Sequence, residues 1–264
     1  MAEVHPNALV EEGARLGAGV KVGPFCVVGA QVELGDGVEL VSHVSVVGHT
    51  SIGEGSRVFP FASLGHQPQD LKFSGEESRL EIGRNCMIRE HVTMNPGTKG
   101  GGMLTKVGDN CLFMVGVHIA HDCQVGNNVI LANNAIIAGH VTIGDRSVIG
   151  GHSAVLQFVR IGKGAMIGGM SGVEQDVLPY SLVHGDRASM AGINIVGLKR
   201  ASFPLEQIRQ LRESVATLFD DRDAGTLAAR AEALRAELPD NPMIDEMVGF
   251  ILQQSRHGSC QPKS

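Results

Sequence analysis

The sequence predicts a mainly β protein: a parallel β-helix of hexapeptide repeats followed by a C-terminal α-helical domain. Two periodicities and the composition predict it. An aliphatic or aromatic residue returns at every sixth position through Val107, Phe113, Ile119, Val125, Leu131, Ile137, Ile143, Ile149, Val155, Ile161, Ile167 and Val173. Four places after each stands a small or β-branched residue, among them Cys111, Val117, Cys123, Ala135 and Ser147. Neither an α-helix nor a flat strand has that period. So short a unit cannot bury its apolar side alone, and successive units must stack to make a core. Gly supplies 35 residues and aromatics only 4%, with no Trp, which suits a chain that turns every few residues.

The same period starts at the N-terminus and runs through Val4, Val10, Leu16, Val22, Val28, Leu34, Leu40, Val46, Ile52, Val58 and Leu64. A polar insertion near 66–80, containing His66-Gln67-Pro68-Gln69-Asp70-Leu71-Lys72, interrupts the ladder before Ile82, Ile88 and Met94 resume it. A second insertion near 95–106, opening Asn95-Pro96-Gly97-Thr98-Lys99, precedes Val107. Insertions in a repeat fold become loops on one face, often the binding face. The ladder stops at Leu178-Pro179-Tyr180, and Ser181 to Asn194 reads as a loop crossing back along the β-helix. The expected domains are 1–190 and 191–264. Helical spacing begins at Ser202, a capping residue, with Pro204 in the first turn and an apolar stripe of Leu205, Ile208, Leu211, Val215 and Leu218. Asp223 to Leu238, Ala-rich with alternating charges, predicts a second helix, and Met243 to Gln254 a third. The tail His257 to Ser264 is expected to be disordered.

With 264 residues and 43% hydrophobic content the chain can bury a large core. A net charge of -6 argues against a general nucleic-acid binder, which would carry a basic face. No apolar run reaches membrane-spanning length, and Met1-Ala2-Glu3-Val4-His5-Pro6 lacks the build of a signal peptide, so a cytoplasmic protein without stable membrane insertion is expected. The five Cys include no Cys-x-x-Cys pair, and Cys26, Cys86, Cys111 and Cys123 fall at the small inward position of the repeat. They read as buried apolar residues before metal ligands or nucleophiles.

One irregular stretch, Val117-His118-Ile119-Ala120-His121-Asp122-Cys123, is the candidate reactive centre. His43, His49, His91, His140 and His152 all take the third place after the inward aliphatic, a tolerated turn or surface position. His118 and His121 break that habit, and Asp122 follows directly. A neutral imidazole beside a carboxylate suits general-base chemistry near neutral pH, because the carboxylate fixes the tautomer and stabilises the cation that forms. The competing reading is a structural histidine. Lys72, with Gln69 and Asp70 nearby, is either a solvated loop charge or a group that holds the hydroxyls, amide or phosphates of a sugar nucleotide. The basic pair Lys199-Arg200 suits a phosphate or an acidic carrier protein.

Eight phrases together carry a likeness. Gln69-Asp70-Leu71-Lys72, Ile88-Arg89-Glu90, Gly101-Gly102-Met103-Leu104-Thr105-Lys106-Val107-Gly108, His118-Ile119-Ala120-His121-Asp122-Cys123, Leu131-Ala132-Asn133-Asn134, Ala138-Gly139-His140, Gly169-Met170-Ser171-Gly172 and Gly197-Leu198-Lys199-Arg200 resemble the UDP-N-acetylglucosamine O-acyltransferase family, whose reaction opens lipid A synthesis. The likeness covers nearly the whole chain. It implies a left-handed coil with three hexapeptides per turn, so that His121, Gly139 and Gln157 stack in one column with His118 and His140 beside it. It also implies direct transfer of a 3-hydroxyacyl chain from acyl carrier protein to the 3-position of UDP-N-acetylglucosamine. The resemblance implies no metal and no cofactor beyond the carrier's phosphopantetheine, and it implies a homotrimer with sites between neighbouring β-helices.

Carried over position by position, His121 corresponds to the general base, Asp122 to the carboxylate that orients it, and the Gly139 backbone N–H to the oxyanion donor. Asp70, Lys72, His118, His140 and Gln157 match substrate-positioning residues. Gly169 matches the position that limits acyl length, with Met170 and Met190 able to shorten the same groove, and Asn194 and Arg200 match contacts to nucleotide or carrier. Leu156, Asn95-Pro96, Val196 and Ala201 depart from the family's usual His, His-Arg, Glu and second Arg. These departures bear on the acceptor, since some relatives prefer a 3-amino sugar nucleotide and make an amide. Three rivals stand beside this reading. A later N-acyltransferase of the same pathway usually adds an N-terminal uridine-binding domain, whereas this ladder starts at Val4. A zinc lyase resembling γ-class carbonic anhydrases would use His118, His121 and His140, at intervals unlike that family's. The third is a non-catalytic scaffold that binds a nucleotide sugar.

Overall fold

The structure, a computed structural model, describes residues 1–220 and 225–263. Each hexapeptide forms a strand of two residues, such as Lys21–Val22 or His118–Ile119, and then turns. Strands stack in parallel register one coil apart, as in Val4↔Val22, Val22↔Leu40 and Phe113↔Leu131. They build three sheets of 11, 9 and 8 strands among the described residues, the faces of a left-handed triangular prism. The second residue of each strand points inward. Leu40, Val58, Ile88, Phe113, Leu131, Ile149 and Ile167 line one wall, each no more than 1% exposed. At about 25 cal/mol per Å² of apolar surface, this continuous column is the chief stabilising term of the fold.

The third place after the inward aliphatic is where the chain turns a corner. Phe25, His43, Phe61, His91, Asn110, Asp122, Asn134, His140, His152, Phe158 and Met170 sit there with φ between 52 and 67°, in the left-handed region. That conformation costs roughly 1–2 kcal/mol for a residue with a side chain, offset here by backbone hydrogen bonds between coils, such as His140 N–H to the His121 carbonyl at 3.0 Å. It explains the recurrence of His at this place. His49 differs: Gly48 takes the turn with φ 63°, and His49 begins the longer strand His49–Ile52.

The two insertions lengthen the interval between stacked residues from 18, as for Asp109 and Asn127, to 30 for Ser56 and Cys86 and 25 for Arg84 and Asp109. Strands resume at Arg79–Ile82 and Leu104–Val107, so the loops end slightly before the expected 80 and 106.

The stretch after Tyr180 is no loop. Ser181–His184 adds in parallel to Met166–Ile167 and turns into Ser189–Ile193 as an antiparallel hairpin, whose second strand runs across the expected division at 190. A short helix α1 (Ile195–Arg200) follows, then α2 (Leu205–Asp220), α3 (Leu227–Glu237) and α4 (Pro242–Leu252). Ser202 does not cap a helix: it holds φ 60° in the turn before α2, and the Pro204 carbonyl accepts the first helical bond, from Ile208 N–H. The expected start at Asp223 lies outside the described residues, and α3 begins after Thr226, whose hydroxyl accepts from Ala229 N–H at 3.2 Å. Ile208, Leu211, Val215, Ala231, Met243, Ile244 and Met247 form the helical core, while Leu205 remains 69% exposed.

The tail is ordered from His257 to Lys263. Ser259 pairs with Asp176 and Pro262 with Met190, and Cys260 is fully buried. Arg160 ties helix, tail and prism together: it donates to Asp176 at 2.8 Å and to Gln253 at 3.0 Å, with its guanidinium 4.3 Å from the Phe250 ring centroid. None of the described helices is long and apolar enough to cross a membrane.

Candidate active site

The three corners of the prism carry different chemistry. The corner between the second and third faces holds residues 120–123, 138–141 and 156–159, since each group lies between a strand of one sheet and a strand of the next. His121 stands here with its ring against Gly139. A Cβ at Gly139 would lie 2.6 Å from His121 Cε1 and 2.7 Å from Nε2, so only glycine leaves the imidazole its seat. The Gly139 N–H has no acceptor among the described residues.

Asp122 holds the ring from the other side. Its Oδ2 accepts the His121 Nδ1–H at 2.8 Å, and because a carboxylate only accepts, the neutral ring has its proton on Nδ1 and its lone pair on Nε2. The carboxylate is itself pinned by Thr98, whose N–H donates to Oδ1 at 2.9 Å and whose hydroxyl donates to Oδ2 at 2.6 Å. It packs against Gly101, where a Cβ would fall 2.0 Å from Asp122 Cγ. Thr105 Oγ1 accepts the Asp122 backbone N–H at 2.7 Å. Thr98 and Thr105 escaped the sequence reading; the adjoining Gly-rich stretch was the available signal. His121 is 7% and Asp122 4% exposed, so the pair works in a low-dielectric setting.

Two further imidazoles frame the pair. His118 Nδ1 lies 2.7 Å from Thr93 Oγ1, and burial, then the neighbouring His121, holds its pKa below the ordinary imidazole value. His140 meets His121 edge-on at 4.9 Å and stacks on Phe158 at 4.3 Å with 5° between the planes. Burial is the main force lowering the His140 pKa, opposed by Asp122 and Asp70 and aided by His121 and Arg256. Asp70 of the first insertion therefore reaches this corner electrostatically, and its carboxylate also accepts the Lys72 backbone N–H at 3.0 Å. Gln157 and Lys72 are exposed. Burial drives the Cys123 thiol up to about 12, which leaves it inert as a nucleophile.

The three-histidine zinc set does not form. Among the described residues, the group with metal-ligand spacing is His121, Asp122 and His140, with ligand atoms within 4.8 Å, and His118 is not part of it. Both Asp122 oxygens already accept hydrogen bonds, so the donor set is committed to orienting His121.

Other expected residues lie at other corners of the same chain. Gly169 is exposed on the corner between the first and second faces, and a Cβ there would meet the Gly151 backbone, its carbonyl at 3.3 Å and its nitrogen at 3.9 Å. Met170 beside it is 79% exposed, but Met190 is 4% exposed and belongs to the core, so it does not line an outer groove. Asn194 sits near the corner between the third and first faces. Its amide accepts from Gly197 N–H at 2.9 Å, capping α1, and donates to the Gly164 carbonyl at 3.0 Å, so its polar atoms serve the fold. Arg200 ends α1 in the open. Of the departures, Leu156 and Val196 are 46% and 61% exposed, Asn95 is 6% exposed, and Ala201 lines a small cavity with Arg146, Lys163 and Tyr180.

Comparison with known proteins gives a consistent picture. Residues 104–139 match the family described as bacterial transferase hexapeptide (six repeats), and residues 176–260 match Udp N-acetylglucosamine O-acyltransferase, Domain 2. The acyl-(acyl-carrier-protein)-UDP-N-acetylglucosamine O-acyltransferase of Methylobacterium radiotolerans is 61% identical over 260 residues, 98% of this chain and 95% of its own length. The enzyme of the same name from Brucella ovis is 43% identical over 259 residues, 98% of this chain and 92% of its own. The solved UDP-N-acetylglucosamine acyltransferase from Campylobacter jejuni superposes with a TM-score of 0.92 at 39% identity, covering 99% of this chain and 100% of that one.

Proposed function

The chain belongs to the UDP-N-acetylglucosamine O-acyltransferase family, and on that premise we propose that it moves a 3-hydroxyacyl chain from acyl carrier protein to the 3-hydroxyl of UDP-N-acetylglucosamine, the step that opens lipid A synthesis. The observation that supports this most directly is the Thr98–Asp122–His121 chain seated on Gly139. His121 Nε2 takes the proton of the sugar hydroxyl as the oxygen attacks the thioester carbonyl and the C–O bond forms. Asp122 stabilises the imidazolium. The Gly139 N–H donates to the oxyanion of the tetrahedral intermediate, and collapse breaks the C–S bond, with the imidazolium proton passing to the leaving thiolate. No acyl-enzyme forms, and the only prosthetic group needed is the donor's own phosphopantetheine. His118, His140, Gln157, Asp70 and Lys72 position the sugar nucleotide and thioester around this centre.

The site works between copies of a cytoplasmic homotrimer. His121 and Arg200 lie at different corners of one prism, so they serve one site only if a neighbouring copy brings its own corner up. The outward residues of the second face, Leu9, Val27, Ser45, Ser63, Thr93, His118, Ile136, Ala154 and Gly172, include no Lys, Arg, Asp or Glu, whereas the third face shows Arg15, Glu33, Glu81, Lys106 and Arg160. An uncharged face of that extent suits association. The test is acyl transfer by purified protein from 3-hydroxyacyl carrier proteins to UDP-N-acetylglucosamine and to its 3-amino analogue, read by product mass. An ester on the hydroxyl sugar is expected; product from the amine alone would move the acceptor to the analogue, and product from neither would remove the reading.

A further inference from the structure

The C-terminal tail delivers a cation to the reactive corner. Leaving α4, it crosses the third face and is tied down on both sides of Arg256 and His257. Gln253 accepts from Arg160 at 3.0 Å, His257 Nε2 lies 3.0 Å from the Gln157 carbonyl, and the Gln175 amide donates to the His257 carbonyl at 3.4 Å. Asp176 N–H donates to Gly258 and Cys260 N–H to Asp176, each at 2.8 Å. Between these ties the Arg256 guanidinium lies 3.8 Å from the Phe158 ring centroid. Phe158 stacks on His140, which meets His121 edge-on.

Among the described residues, the corner segments of the three coils around His121 carry no Lys or Arg. They read Ala120-His121-Asp122-Cys123, Ala138-Gly139-His140-Val141 and Leu156-Gln157-Phe158-Val159, and the next coil adds Glu174 and Asp176. Arg160 neutralises Asp176, but no carboxylate pairs with Arg256 among the described residues, and Arg256 is exposed. A guanidinium stacked on a ring keeps its N–H edge free, the geometry that grips phosphate oxygens in the plane.

We propose that Arg256 is a phosphate-binding residue of this site, taking either the diphosphate of the sugar nucleotide or the phosphodiester of the donor's pantetheine arm. The proposal rests on the acyltransferase reading above. The test uses full-length wild type, Arg256→Gln and Arg256→Lys, with KM for each substrate, kcat, melting temperature, and calorimetric binding of UDP. Arg256→Gln is expected to raise KM for one substrate about tenfold or more, the usual weight of one charged hydrogen bond, with kcat nearly unchanged and Arg256→Lys, which keeps the charge but loses the stacked planar N–H edge, recovering only part of the loss. A matching loss of UDP affinity identifies the diphosphate; unchanged UDP binding with a raised donor KM identifies the phosphodiester. Unchanged KM for both substrates overturns the proposal, as does a fall in kcat and melting temperature alone, which would make Arg256 a prop for Phe158. Wild-type protein that makes no product in the same assay would instead remove the acyltransferase reading.

Discussion

Replacing Gly139 with Ala tests the geometry of the site at one atom. The added methyl would lie 2.6 Å from His121 Cε1 and 2.7 Å from Nε2. Relieving the contact to the ordinary carbon separation near 3.5 Å requires the ring to retreat by roughly 0.8–0.9 Å. The His121–Asp122 bond, now 2.8 Å, then lengthens or bends out of line. The Gly139 backbone is not left-handed, so alanine carries no φ penalty there and the effect is confined to the ring. A displacement near 1 Å of a reacting group typically costs about 10²-fold in rate, while overpacking of this kind costs about 1–3 kcal/mol of stability. Gly139→Ala should therefore lose about 10²-fold in kcat/KM in a steady-state acyl-transfer assay, with only a small fall in melting temperature. Gly100→Ala in the second insertion, where a Cβ meets nothing within 4 Å, is the matched control and should be silent. A Gly139→Ala enzyme within a few-fold of wild type would refute the placement of the imidazole on this glycine.

Thr98→Val deletes the hydroxyl donor to Asp122 but keeps the backbone N–H, so kcat should fall about tenfold with KM little changed; an unaltered kcat would remove the second insertion from the mechanism. His118 and His140 both have folded pKa values below their unfolded value. The native state then binds fewer protons than the unfolded chain, so stability is full above about pH 6.5 and declines as pH falls below it. Thermal melts from pH 7.5 to pH 5 should show that decline, and His140→Gln should reduce it; a flat profile in wild type contradicts the burial of these imidazoles.

Much of the architecture is legible because a six-residue period admits so few structures. The inward column is the six-residue period itself, and the stacking of His121, Gly139 and Gln157 follows from the three-hexapeptide coil that the family resemblance implies. Two of the misreadings come from long-range pairing without a local signal. The hairpin Ser181–Ile193 lacks the hexapeptide spacing, and its first strand is specified by pairing with Met166–Ile167. The tail has no apolar period, yet buried Cys260 and bridges to Asp176 and Met190 order it. Helix α1 contains Gly197, a poor helix former, retained because a Cβ there would lie 2.3 Å from the Asn194 amide that caps the helix. Thr98 was invisible for a similar reason: its partner Asp122 lies 24 residues away across an insertion.

The most direct measurement is single-turnover acyl transfer by His121→Ala against wild type, with 3-hydroxyacyl carrier protein and UDP-N-acetylglucosamine, alongside melting temperature and oligomer mass by light scattering. Loss of a positioned general base costs about 10²–10⁴-fold, so the variant should be slower by at least that lower bound while its melting temperature and oligomeric mass stay those of wild type. A His121→Ala protein that transfers acyl chains within tenfold of the wild-type rate would contradict the assignment of His121 as the base.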